Sequence, residues 1–343
     1  MNKNCEKFES IIERFPSVKI GVVGDMIADV FIYGTPSQLS REAPVVIVKH
    51  ESQKVIPGGA ANTVNNLLSL GAQVMPIGLV GDDDNGDALL GYFKARKIDT
   101  TGIITVPRRN TITKMRIMAG RAHTSKQQVV RVDYDPDYRL NDYVEKMVIN
   151  HISAISKQLD AIIVSDYHYD LLTPNVIRYL CDLSRDHLVI VDSHYRLAMF
   201  KGVALITPNE QEALLTTRHD HDESFDIFKV GRQLHELIKP KMGIIITQGN
   251  EGMIVFENDK DPVHIPIVGS DDVTDVTGAG DTVVSTLTLA LCAGADLVTA
   301  AHLANYAAAI VVMKSGTATT NKEELMKLIT RTEYEQTETT IYS

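Results

Sequence analysis

The chain has 343 residues, 44% of them hydrophobic, and 34 Lys and Arg against 44 Asp and Glu give a formal charge of −10 at pH 7. That size suits one large domain or two ordinary ones, the acidic balance without a long basic run argues against a nucleic-acid partner, and no stretch of about 18 apolar residues is present to cross a membrane. Cys5, Cys181 and Cys292 are odd in number and lack Cys-x-x-Cys spacing, which argues against a disulfide framework and a zinc knuckle and makes a reducing cytoplasm the expected setting.

In chain order, residues 1–14 mix charged and apolar side chains as a short amphipathic helix, without the apolar core of a signal peptide. Strand-like apolar runs follow at 19–23, 73–80, 161–165, 188–192, 204–207 and 242–247, with helical patterns at 67–70, 87–96, 174–184 and 225–238 between them. This rhythm predicts an α/β fold with a mostly parallel sheet and ligands at the carboxyl ends of its strands. Residues 30–48 and 111–134 break the rhythm by alternating, and predict a small β lid drawn from about 30–60 and 105–135. Residues 1–332 are expected to form a single domain, and the polar, Thr- and Glu-rich stretch 333–343 a flexible tail.

Several segments carry chemistry. Gly24-Asp25-Met26-Ile27-Ala28-Asp29 ends the first strand with two carboxylates, each able to accept hydroxyl hydrogen bonds or merely to shape a turn. Gly21-Val22-Val23-Gly24 lacks the Gly-x-Gly-x-x-Gly spacing, so a dinucleotide-binding dehydrogenase is disfavoured. Pro57-Gly58-Gly59-Ala60-Ala61-Asn62 opens an apolar helical stretch, and Thr207-Pro208-Asn209-Glu210-Gln211-Glu212 follows a strand in a pattern that also reads as a helix cap. Arg218-His219-Asp220-His221-Asp222 reads as a solvated loop, because no third metal ligand stands at familiar spacing.

The most informative segment is Asp275-Val276-Thr277-Gly278-Ala279-Gly280-Asp281-Thr282, which opens the helical run 283–293. Its glycines can turn N–H groups toward a phosphate. An acid in the first helical turn gains little from facing a polyphosphate unless it takes a proton from an attacking hydroxyl, which points to phosphoryl transfer with Asp281 as general base. Ordinary helix punctuation is the alternative.

This octet and the 57–62 segment, about 215 residues apart, closely resemble the two signatures of the ribokinase-like (PfkB) carbohydrate kinases. The resemblance covers roughly residues 15–325. It implies a three-layer α/β sandwich with a lid, Asp281 as base, and Gly278, Ala279 and Gly280 as the cradle of the transferred phosphoryl group. Asp25, Asp29, Gly58, Gly59 and Asn62 are implied to hold the sugar. Asn209 and Glu212 would organise magnesium through water and the nucleotide phosphates. Thr247, Gly249, Gly252 and Asn305 would flank ATP, and Asp275, Thr277 and Ser315 a monovalent cation such as K+. A homodimer formed through the lid is also implied.

Within the family, Ser40-Arg41-Glu42-Ala43-Pro44, Thr111 to Arg116, Gln127 to Asp133 and Ser165-Asp166-Tyr167 resemble the heptose-7-phosphate kinase branch. A phosphorylated sugar needs cations, and Arg41, Lys114, Arg116 and Arg131 fall in the lid segments. The chain departs from the expected Asp-Pro-Lys, having Asp192-Ser193-His194-Tyr195-Arg196, so Arg196 is the expected replacement for the lysine, or the mark of a relative acting on another sugar such as fructose or ribose. The branch's bifunctional members carry a following nucleotidyltransferase domain with a His-x-Gly-His motif, which these 343 residues lack. A sugar or nucleotide sensor without catalysis is the reading of a different class.

Overall fold

Short runs of Val and Ile, too brief for helices, build the centre of the molecule. The computed structural model describes residues 3–341 apart from 122–125, 137–139, 220–224 and 270–273. Its strands are β1 (Lys19–Gly24), β2 (Met26–Leu39), β3 (Val46–Gly59), β4 (Gln73–Gly81), β5 (Ile103–Val106), β6 (Ile112–Ala119) and β7 (Gln127–Tyr134). They continue with β8 (Ala161–Asp166), β9 (Leu188–Ser193), β10 (Leu205–Ile206), β11 (Gly243–Thr247), β12 (Met253–Glu257) and β13 (Val263–Ile265). Nine of them form one sheet in the order β13-β12-β11-β10-β9-β8-β1-β4-β5. Pairing is parallel from β11 to β5, and β12 and β13 add an antiparallel edge.

Period-two alternation sends neighbouring residues of one strand into two separate cores. Val22 and Ile163 pack with the helices Lys3–Ile12, Ala60–Ser69, Ala279–Cys292 and Leu297–Val311, whereas Val23, Ile162 and Val164 pack with Asp142–Ile155, Pro174–Leu183 and Ile227–Ile238. Sheet residues buried on both faces read as continuous apolar runs, as parallel strands do. The predicted three-layer sandwich is therefore present.

The lid is a four-stranded sheet in the order β3-β2-β6-β7, a hairpin at each side joined by parallel β2–β6 pairing. It starts immediately beyond β1: the Asp25 N–H donates to the Ser165 carbonyl at 3.2 Å and the Ala60 N–H to the Asp25 carbonyl at 3.0 Å, so the lid's first strand is anchored where the main sheet ends. A Cβ on Gly24 would stand 2.1 Å from the Ser165 oxygen, which explains the glycine at that junction.

Some boundaries differ from the sequence expectation. Residues 103–106 pair with β4 at the edge of the main sheet rather than with the lid. The helical stretch expected after Asn62 begins earlier, at Ala60, capped by Gly59 at φ 55°. Helix Asp142–Ile155 has no counterpart among the expected elements. The backbone of helix Lys322–Ile341 runs through most of the stretch read as a tail. In the His-rich segment, His219 meets Gln233 at 2.9 Å, and residues 220–222 lie outside the described residues.

Candidate active site

The carboxyl ends of β8, β9, β10 and β11, the start of the lid and the start of helix Ala279–Cys292 converge on one cleft of about 490 Å3. Parallel strands place such a cleft there because each must be followed by a turn at the same sheet edge. A second hollow of about 650 Å3 lies at the opposite edge, where Arg185, Lys201, Lys239 and Lys241 crowd the ends of two helices and answer their carbonyl dipoles.

Asp281 lines the cleft yet is only 2% exposed. Its Oδ2 accepts from Asn62 Nδ2 at 2.7 Å and its Oδ1 from Thr63 Oγ1 at 2.9 Å, both from the helix that follows β3. The Tyr167 hydroxyl stands 3.3 and 3.4 Å from the two oxygens. Burial pushes the Asp281 carboxyl up to about 6, while Asn62, Thr63, His194 and Tyr167 restrain the rise. A carboxylate poised there is ionised at neutral pH and basic enough to take a hydroxyl proton.

Gly278 precedes this helix at φ 79°, and a Cβ on it would lie 2.6 Å from Asn62 Nδ2. Only glycine lets the turn pass so close to Asn62, the residue that holds Asp281. Gly278 and Gly280 both line the cleft. Ala279 is a correction to the expected cradle: its N–H donates to the Val276 carbonyl at 3.1 Å and closes the turn on itself. The first-turn amides beyond it lie at the positive end of the helix, where an anion is favoured.

The sugar-side expectations divide. Asp29 and Gly59 line the cleft, and Gly58 is glycine because a Cβ would fall 2.4 Å from Asp29 Oδ2. Lys114, Arg116 and Arg131 line it as well. Arg116 pairs with Asp29 at 2.5 Å, Arg131 with Asp133 at 2.8 Å, and Lys114 with Asp133 at 3.4 Å. Asn62 does not reach a sugar: it is fully buried, and its amide is engaged with Asp281 and Asn66. Asp25 is a second correction, since its Oδ2 accepts the N–H groups of Tyr167 at 3.0 Å and Tyr169 at 3.3 Å from within the protein. Burial, followed by the charge of Asp166, pushes its carboxyl up to about 7.

Arg196 is a third correction. Its guanidinium pairs with the buried Asp166 and donates to the Leu172 carbonyl at 2.9 Å, so it clamps the β8 loop and faces an outer hollow. Arg41 is exposed in the bend between β2 and β3 and is not on the cleft wall.

On the nucleotide side, Asn209 and Glu212 form a reciprocal capping box, at 2.9 and 2.8 Å, while also lining the cleft. Thr247, Gly249 and Gly280 are shared with an adjoining apolar hollow of about 210 Å3, walled by Met253, Val268, Val283, Ala308 and Val312. Gly252 and Asn305 lie on the same wall, the latter donating to the Pro266 carbonyl at 2.7 Å. Asp275 ties its own turn to the next loop by accepting from Thr277 and Gly316, each at 2.9 Å, and these donors hold its carboxyl below the usual range despite its burial. Thr277 lines the cleft, and Ser315 is exposed in that next loop.

Tyr167, Asp192 and His194 also line the cleft and had no role in the sequence expectation. His194 Nδ1 contacts Glu212 Oε1. Burial, then the charge of Glu212, pushes Asp192 up, and Glu212 and Asp192 lift His194 despite its burial. Their only signal was the departure from Asp-Pro-Lys, and the Ser165-Asp166-Tyr167 block at a strand end.

Residues 18–324 match the family model described as pfkB family carbohydrate kinase. The chain belongs to that family, and it is a phosphotransferase of the class that acts on a sugar hydroxyl. It is 36% identical to the bifunctional protein HldE of Gluconobacter oxydans over 92% of its length, and 37% identical to that of Pelobacter propionicus over 94%. The chain spans 65% and 66% of those two relatives. Among solved structures it is similar to phosphofructokinase-2 from Escherichia coli in complex with potassium, with a TM-score of 0.74 at 15% identity over 91% of this chain and 97% of that one. Ribokinase from Arabidopsis thaliana complexed with ribose and ATP gives 0.69 at 16% identity over 91% and 98%. These two share the fold.

Proposed function

We propose that the protein transfers the γ-phosphoryl group of ATP to a hydroxyl of a sugar phosphate, and that D-glycero-D-manno-heptose 7-phosphate, giving the 1,7-bisphosphate, is the substrate. The observation that carries this reading is the presence in one cleft of a buried base, Asp281, and three lid cations, Lys114, Arg116 and Arg131. A neutral sugar has no need of those cations, whereas a phosphate monoester is recognised by Arg in two-point contacts. Asp29 and Asp133 hold the cations in place before substrate arrives. The resemblance to the heptose-7-phosphate kinase branch and the HldE relatives supports the particular sugar.

ATP places its base in the apolar hollow beside Asn305 and runs its phosphates past Thr247 and Gly249 to Gly278 and Gly280. Asp281 takes the proton of the acceptor hydroxyl as that oxygen bonds to the γ-phosphorus and the bond to the ADP oxygen breaks. Gly280, at the helix N-terminus, offsets the charge on the transferred group, the lid cations hold the phosphate the sugar already carries, and positioning supplies much of the rate. The donor set fits magnesium: Asp192 and Glu212 are mutually repelling carboxylates on the cleft wall, and Asn209 adds an amide beside them. Magnesium keeps most of its waters, so these few oxygen donors would suffice to hold it. When bound, the ion would neutralise phosphate oxygens. Asp275, Thr277 and Ser315 would hold a monovalent cation such as K+ between their two loops.

No helix of the described residues is long and apolar enough to cross a membrane, and a cytoplasmic setting fits three cysteines that are not joined in disulfides. The test is incubation with ATP, magnesium and a panel of sugars and sugar phosphates. ADP release that depends on heptose 7-phosphate is the expected result. Release that depends on an unphosphorylated sugar instead would remove the argument from the lid cations.

A further inference from the structure

Resting on the kinase reading, we propose that Tyr167 is a positioning residue whose hydroxyl occupies, in the sugar-free cleft, the place on Asp281 that the acceptor hydroxyl later takes. Both rear approaches to the carboxylate are filled by the helix Ala60–Ser69, through Asn62 on Oδ2 at 2.7 Å and Thr63 on Oδ1 at 2.9 Å. The cleft side remains, and there the Tyr167 hydroxyl sits almost midway between the two oxygens, at 3.3 and 3.4 Å. An acceptor hydroxyl must come to the same edge to surrender its proton, so it and the phenol compete for one position.

While no sugar is present, the phenol is held there as a donor. Burial, then the charges of Asp281 and Asp192, hold it well above its ordinary pKa, so it remains protonated and its proton takes no part in the transfer. Its ring meets the His194 ring edge-on at 4.4 Å, and its backbone N–H donates to Asp25 Oδ2 at 3.0 Å. Asp25 therefore has a purpose different from sugar binding: with Arg196 on Asp166, it fixes the turn that presents Tyr167.

The physical consequence concerns water. With no sugar in the cleft, an ionised base beside ATP would activate a water molecule and hydrolyse the nucleotide. The phenol fills that position and keeps a water molecule out of it. Tyr167→Phe keeps the ring and its packing but removes one hydroxyl, opening a space close to that of one water beside the carboxylate. His194 and Asp192 from the end of β9, and Asp29 from the lid, are the charged neighbours, and the substitution leaves them unchanged.

The experiment compares wild type with Tyr167→Phe and measures moles of sugar phosphorylated per mole of ADP released. The expected ratio is near one in wild type and several-fold lower in the variant, with the excess ADP release abolished when Asp281→Asn is added. A ratio that stays at the wild-type value overturns the inference. If wild type shows no sugar-dependent ADP release, the kinase reading itself falls. The inference is then decided by the 13C carboxyl titration of Asp281 in nucleotide-free protein, assigned by its loss in Asp281→Asn. A midpoint raised in Tyr167→Phe, as expected on losing a donor to the carboxylate, supports the contact, and an unchanged midpoint overturns it.

Discussion

At the residue scale, burial and hydrogen bonding pull the Asp281 carboxyl in opposite directions, and burial wins. Burial raises it and the donors restrain it, leaving the carboxyl at about 6. Below that pH it is protonated and cannot accept a proton, so kcat/KM should fall tenfold per unit on the acid side, with a limb near pH 6. A profile flat down to pH 4 would exclude Asp281 as the base. Asp281→Asn keeps the shape but removes the basic lone pair, and should lower kcat by about 10²- to 10⁴-fold while leaving ATP and sugar-phosphate binding by calorimetry near wild type. Arg196 and Arg116 provide a matched contrast. Arg196→Met strands the buried Asp166 and should cost about 3–5 kcal/mol of stability in denaturant titration, with a small effect on KM. Arg116→Ala should raise KM for a phosphorylated sugar by about tenfold or more, because a charge-assisted contact is worth about 1.5–3 kcal/mol.

At the element scale, the site depends on how helices begin. The helix Glu210–Thr217 is short, and its capping box uses the same Asn209 and Glu212 that face the cleft. Asn209→Ala should therefore cost about 1 kcal/mol, read as a lower denaturation midpoint, and should weaken nucleotide binding as well. The two sequence interpretations of that segment, cap and ligand-facing pair, are one geometry. The Gly278 turn shows the same economy, since the αL residue that starts the helix also leaves room for Asn62. Helix Asp142–Ile155, absent from the expected elements, does carry a helical signal in its Val144, Val148 and Ile152 spacing and its Asn141 cap.

For the whole molecule, the lid leaves an apolar surface on the described chain. Val129, Val130 and Val132 of β7 and Leu39 and Val46 at the far ends of β2 and β3 are exposed, and β7 is exposed along its full length. Edge strands of this kind invite pairing with another chain. The proposed homodimer through the lid should appear as twice the chain mass in sedimentation equilibrium, and Val130→Asp should shift it toward monomer. A wild type that sediments as a monomer at micromolar concentration would reject it.

The sequence by itself determined the layered α/β architecture, the lid, and the identity of the octet that carries Asp281, because strand periodicity and glycines at a helix start are local properties written in adjacent residues. The tertiary structure alone decided what Asn62, Asp25 and Arg196 do. Asn62 and Asp281 are 219 positions apart, and Asp25 and Tyr167 are 142 apart. A polar side chain's role is set by which partner burial forces it to find, and that partner comes from a distant element brought close only when the two cores close around the sheet.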